Sequence, residues 1–342
     1  MKKLFLSLVA VIMTATTMMA QTSQVATLNH NDVISVYHGQ SAFADAMAAA
    51  DNGDMITLSS GTYAGTAITK AVTLRGAGIG EETTRITGTV NLSIPESVEE
   101  KLSIEGIVFP NSIARTENKV NNITFTKCEV AQFSMAAAYR TSSTVGWKFI
   151  NCYISKGISI AQGSSATFIN SCVMNPIVYS SSSNPSSMEF VNCVVISDEN
   201  NGFKGSSSSP GPQNSIFTNS LVLSTAITNA NNILDSSNQT HNCVGYESTG
   251  TTSVFANTSQ SGNTDLTTDQ YNALFKEGTF YELTDAAKAA YQGNDDTEVG
   301  MYGGAMPYDT HVASPHITKC KVASKTTTDG KLSVDIEVKA AE

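Results

Sequence analysis

Trp147, Lys148, Phe149, Ile150, Asn151, Cys152, Tyr153 and Ile154 follow one another, and this run returns in altered form on both sides of itself. Residues 123–130 carry Phe125, Lys127 and Cys128 in the equivalent places. Residues 166–173 carry Phe168, Asn170 and Ser171. Residues 188–195 carry Phe190, Asn192 and Cys193, and residues 215–222 carry Phe217, Asn219 and Ser220. An earlier copy at 102–109 has Ile104, Gly106 and Ile107. The phenylalanines fall 24, 19, 22 and 27 residues apart. Spacing in the low twenties is one coil of a parallel β-helix, too irregular for helical repeats and too short for a propeller blade. The chain is therefore expected to be all-β: a right-handed, single-stranded parallel β-helix, with length variation confined to corner loops.

Side chains alternate across a strand, so the template reads in, out, in, out, corner, in, out, in. The inward set is apolar or small: Ile123, Phe125, Cys128 and Val130; Trp147, Phe149, Cys152 and Ile154; Met188, Phe190, Cys193 and Val195. Asn151, Asn170, Asn192 and Asn219 hold the corner, where Asn tolerates left-handed backbone angles and an amide can bond the equivalent amide of the next coil. Gly106 fits the same place, whereas Lys127 breaks the pattern and predicts a distorted corner. The cysteines at one inward position are read as buried thiols, since neighbouring parallel strands place them poorly for a disulfide.

Both ends depart from the repeat. Lys2 and Lys3, an apolar run over 4–13 and small residues up to Ala20 predict a secretory signal peptide over 1–20. No cysteine follows that run to carry a lipid anchor, and no later apolar stretch is long enough to insert in a membrane. Residues 40–50 favour a helix, with Ser41 as candidate N-cap, that would cover the first coil. Past residue 220 the pattern fades: Asn242 and Cys243 suggest a last weak coil, 267–276 a short helix, and 317–323 with 332–338 a hairpin around Asp329 and Gly330. The expected organisation is a signal at 1–20, a β-helix domain with its N-terminal cap at 21–306, and a C-terminal hairpin cap or appended element at 307–342.

Residues 53–63 (Gly53, Asp54, Met55, Ile56, Thr57 and onward to Tyr63) and residues 68–78, with Ile68, Leu74, Arg75, Gly76 and Gly78, resemble the first coils of pectate-lyase-like right-handed β-helix proteins. Nearly the whole chain is similar to uncharacterised secreted β-helix proteins of Bacteroidales gut bacteria. The resemblance implies a fold. It leaves function open, because that group includes lyases, glycoside hydrolases, adhesins and proteins of no known activity.

Removing Lys2 and Lys3 with the signal leaves 18 basic and 30 acidic residues, a net charge of −12. That balance excludes nucleic acid and anionic membrane surfaces as partners and disfavours acidic polysaccharides. Lyases of this fold need a calcium cage with a basic residue, and hydrolases need close carboxylates. Glu105, Glu129 and Glu189 are the outward strand carboxylates, and they lie on non-adjacent coils or at different template positions. Asp295 and Asp296 sit outside the repeat, Arg115 and Arg140 follow no acidic cluster, and the five histidines lack zinc spacing. No catalytic residue, metal or cofactor is therefore assigned. The expectation is an exported, monomeric, non-catalytic protein at the cell surface or in the periplasm that binds a polysaccharide or a surface protein. A divergent lyase or hydrolase and a self-associating solenoid are the alternatives. Tyr153, Tyr179 and Phe203, beside the Ser-, Gly- and Pro-rich stretches 180–187 and 198–214, are the candidate sugar-stacking residues.

Overall fold

The computed structural model describes residues 24–80, 83–115, 120–134, 146–178, 186–198, 203, 211–225, 233–249, 252–312, 316–322, 330–331 and 334–339. The expected signal peptide, Tyr179 and Arg140 lie outside the described residues. The chain winds into a right-handed parallel β-solenoid. Its first sheet stacks, in order, Met55–Leu58, Thr73–Arg75, Ser103–Glu105, Thr124–Thr126, Trp147–Ile150, Ser165–Ile169, Ser187–Val191, Ile216–Thr218, Gln239–His241 and Ser259–Ser261. Its second sheet stacks Gly61–Ala64, Thr84–Thr87, Val108–Arg115, Glu129–Ser134, Tyr153–Ile160, Cys172–Met174, Val194–Ser197, Leu221–Ser224, Val244–Glu247 and Thr264–Asp265. The coil suggested by Asn242 and Cys243 forms, and one more follows it.

The repeat register matches the alternation. Phe125 pairs with Phe149, Phe149 with Phe168, Phe168 with Phe190, and Phe190 with Phe217 across parallel strands. Their rings stack at 5.1, 4.8, 5.0 and 4.7 Å with interplanar angles of 5, 9, 12 and 14°. That is the strand spacing itself, so one residue type repeated at one position builds a continuous aromatic column. All five rings are fully buried. Each contributes about 1.5–3 kcal/mol by burial, and each stacked pair about 0.5–1.5 kcal/mol more.

Beside this column runs a second ladder. Cys128, Cys152, Ser171, Cys193, Ser220 and Cys243 occupy one inward position, and each lies within donor reach of the carbonyl two residues earlier. Each also reaches a carbonyl of the preceding coil, as Cys152 Sγ does to Phe125 O at 3.4 Å. Cys128, Cys152, Cys172, Cys193 and Cys243 are free and buried. Burial, the largest cause, pushes the thiols of Cys193 and Cys243 up to about 12, so they act as small core groups.

The corner adopts the left-handed conformation in every copy: Gly106, Lys127, Asn151, Asn170, Asn192, Asn219, Asn242 and Gly262 all have φ between 47 and 67°. The expected distortion at Lys127 is absent, for its φ is 51°.

At the N-terminal end, helix α1 (Ala42–Ala49) buries Ala42, Phe43, Ala46 and Met47 in the core. Ser41 precedes it but makes no cap bond, and its hydroxyl instead donates to Asp45 at 2.9 Å. An antiparallel hairpin, Val25–His30 with Val33–His38, extends the first sheet through pairing of Val25–His30 with Met55–Leu58. At the other end, His316–Val322 and Val334–Lys339 form the expected antiparallel hairpin as a two-stranded sheet of their own.

Candidate functional site

The last solenoid strands lead into a strap, residues 266–312, that runs back along the outside of the second sheet. It contains α2 (Thr268–Asn272), opened by a capping box between Thr267 and Gln270, and α3 (Asp285–Ala290), capped by Thr284. The repeat makes room for this strap. Cys172, Val194, Leu221 and Val244 stand at the outward position after the corner, which is Glu129 and Tyr153 in earlier coils. Together with Met174, Ile196, Leu223 and Tyr246 they form a second core against Leu266, Leu274, Leu283, Ala287, Val299 and Met301 of the strap. Ion pairs brace its outer side: Lys276 with Glu282 at 2.7 Å, and Lys288 with Glu282 and Glu298 at 3.2 and 3.3 Å.

The corner side chains hold the strap in reverse order. Asn219 Nδ2 donates to Asn294 Oδ1 at 2.9 Å, its Oδ1 accepts from Asn294 N at 3.1 Å, and its backbone carbonyl accepts from Gly300 N. Asn170 Nδ2 donates to Met301 O at 2.9 Å and Gly303 O at 2.6 Å. With its amide oriented to satisfy its neighbours, Asn151 donates to Met306 O at 3.2 Å. Lys127 Nζ donates to Asp309 Oδ2 at 2.7 Å and to the His311 carbonyl. Asn151, Asn170 and Asn219 thus bond the strap as well as shaping the corner, in place of the expected amide-to-amide bonding, whereas the buried Asn192 Nδ2 has no hydrogen-bond partner among the described residues. Gly303 is required by close approach, since a Cβ there would lie 1.7 Å from Glu298 O.

Where the strap crosses the earlier coils, it leaves a cleft of about 480 Å³. Tyr153 and Glu129 line it from the second sheet, Ile79 from an N-terminal turn, and Phe280, Tyr302, Tyr308, Asp309, Thr310 and His311 from the strap. Tyr153 and Phe280 meet edge to face at 4.8 Å, Phe280 and Tyr308 lie 5.7 Å apart, and Tyr302 and Tyr308 5.9 Å apart. Tyr302 is fixed by a bond from its hydroxyl to Phe280 O at 2.9 Å. Burial raises the phenol pKa of Tyr153, Tyr302 and Tyr308, and the Glu129 carboxylate adds to the effect at Tyr153 and Tyr308. The hydroxyls are therefore neutral hydrogen-bonding groups.

The two cleft carboxylates differ. Burial pushes Asp309 upward, but bonds from Lys127 and His311 outweigh it and hold the group at about 2. His311 Nδ1 lies 2.7 Å from Asp309 Oδ1. The Glu129 carboxylate makes no hydrogen bond or ion pair among the described residues. Of the other acids, Glu105 pairs with Arg75 at 3.3 Å, Glu189 accepts from Thr167, and Asp295 accepts from Thr297 within its own turn. Among the described residues no three His, Cys, Asp or Glu side chains converge as a metal site would require.

Of the candidate stacking residues, Tyr153 lies in the cleft. Phe203 is a correction: it is 1 % exposed and belongs to the solenoid core, so it has no face left for a sugar. Phe280, Tyr302 and Tyr308 were not singled out in the sequence. The readable signal was density, with seven aromatic residues between positions 271 and 308. Comparison with protein-family models, curated proteins and solved structures finds no match for this chain.

Proposed function

We propose that this chain is an exported, non-catalytic β-helix that binds a glycan at the cell surface or in the periplasm, and that the cleft between the second sheet and the strap is its binding site. The observation that carries the reading is the convergence of Tyr153, Phe280, Tyr302 and Tyr308 on one open cleft of about 480 Å³. Half-buried rings with polar edges suit the apolar faces and hydroxyl rims of sugar rings, and the volume suits one or two residues of a chain. Glu129, Thr310 and the tyrosine hydroxyls supply the hydrogen bonds that orient such a ligand. A rigid solenoid supplies one wall, so little ordering opposes binding on that side. The test is titration of oligosaccharides into the wild-type protein and Tyr153→Ala. Binding by wild type that the variant loses, at unchanged thermal stability, supports the reading. Equal binding by both sinks the site assignment.

A second reading has its own observation. Glu129, Asp309 and His311 share the cleft, which gives a divergent hydrolase or lyase an acid and a base. Against it, Asp309 is already committed to Lys127 and His311, leaving Glu129 as the one unpaired carboxylate of the cleft. Release of reducing ends or unsaturated products from a polysaccharide, abolished by Glu129→Gln, would establish the enzyme in place of the binder.

A further inference from the structure

The charge of the cleft points to a more specific ligand than a neutral sugar. Among the described residues its lining holds two carboxylates and no lysine or arginine. Lys127, behind the wall, neutralises Asp309 through their ion pair. Among the described residues that leaves Glu129 as a negative charge without a counter-ion beside Tyr153 and Tyr308, close enough to raise both phenols. A carboxylate against aromatic faces is the arrangement that attracts an ammonium group, through the charge and the ring quadrupoles together. An anionic sugar would meet repulsion from Glu129, and a neutral one would offer that carboxylate hydroxyl donors but no countercharge. The chain as a whole carries a net charge of −10, which draws polycations toward it.

We infer that the cleft selects a glycan bearing free amino groups, a hexosamine without its acyl cap, whose ammonium pairs with Glu129 while its ring lies on Tyr153. This rests on the glycan-binding reading above and deepens it.

The experiment is calorimetric titration of the purified protein with three β-1,4-linked hexamers: glucosamine, N-acetylglucosamine and glucose. Wild type, Glu129→Gln, Tyr153→Ala and Glu100→Gln are compared. Glu100→Gln removes the same charge from an exposed position elsewhere on the solenoid. Wild type is expected to bind the glucosamine hexamer at least roughly tenfold more tightly than the other two, with Glu129→Gln erasing most of that preference and Glu100→Gln preserving it. Equal affinity for all three hexamers overturns the inference and leaves the glycan-binding reading standing. A preference that survives in Glu129→Gln, or that falls as far in Glu100→Gln, also overturns it, because the charge would then act from the whole surface. Failure of all three hexamers to bind, with Tyr153→Ala indistinguishable from wild type, overturns both.

Discussion

Lys127 Nζ donates to Asp309 Oδ2 across 182 residues of sequence, joining the corner of an early coil to the end of the strap. Lys127 takes the same left-handed backbone as the corner asparagines, so its long side chain is free to reach where an amide would stop short. The same strap residues line the cleft. The fold, the strap and the candidate site are therefore mechanically one arrangement.

Loss of this ion pair is expected to loosen the strap without unfolding the solenoid. Cys172 is the natural reporter, since it lies in the second core beneath the strap while Cys128, Cys152, Cys193 and Cys243 lie inside the coils. In Lys127→Met the native-state labelling rate of Cys172 should rise roughly fivefold, equivalent to about 1 kcal/mol for a partly exposed ion pair. The interior thiols should stay unreactive until denaturant is added. An unchanged rate at Cys172 would show that the asparagine contacts alone retain the strap.

The latch also has a pH signature. Asp309 is held at about 2 in the folded chain, against an ordinary aspartate near 3.9. A depressed folded-state pKa contributes stability that is fully present above the unfolded value and is lost as pH falls through the folded value. The contribution should thus be constant at neutral pH and decline between about pH 4 and 2. Thermal unfolding across that window should be steeper for wild type than for Lys127→Met. Parallel curves would exclude the pair as the cause of the shift.

The solenoid was legible because its signals repeat: Phe125, Phe149, Phe168, Phe190 and Phe217 mark one register, and asparagine marks the corner. The strap was not legible, for two physical reasons. Apart from the short helix expected over 267–276, which forms as Thr268–Asn272, its residues follow neither a strand nor a helix period, being held by hydrogen bonds to corner side chains. Its docking surface did leave a trace. Val194, Val195 and Ile196, like Leu221, Val222 and Leu223, cease to alternate, and a strand apolar on both faces is covered on both faces. Tyr153 was singled out for its nearness to the Ser-, Gly- and Pro-rich stretches; what places it in the cleft is its outward position in the strand Tyr153–Ile160, beneath the strap. Phe203 misled because a Ser- and Gly-rich setting implies exposure, whereas a lone aromatic in such a loop more often serves as its anchor.

Asn170 separates the two tasks of a corner residue. Its φ is 47°, and its amide donates to both Met301 O and Gly303 O. Asn170→Gly keeps the backbone conformation accessible and removes only the strap bonds, at about 1–3 kcal/mol. Asn170→Ala removes the bonds and adds the left-handed penalty, about 1–2 kcal/mol more. Denaturant titration should rank wild type above the glycine variant and the glycine variant above alanine. If alanine equals glycine, backbone conformation is not what asparagine supplies there.

Phe168 lies between Phe149 at 4.8 Å and Phe190 at 5.0 Å, so its removal interrupts the aromatic column in the middle. Phe168→Ala should cost about 3–5 kcal/mol. In a solenoid, whose coils contact only their neighbours, such a break ordinarily lets the two halves unfold separately. Here the strap spans it, bonding Asn219 on one side and Lys127 on the other. Phe168→Ala alone should therefore keep a single transition at lower denaturant. The double variant with Lys127→Met, which frees the strap from the earlier coils, should divide it into two. A divided transition already in the single variant would mean that the strap does not couple the halves.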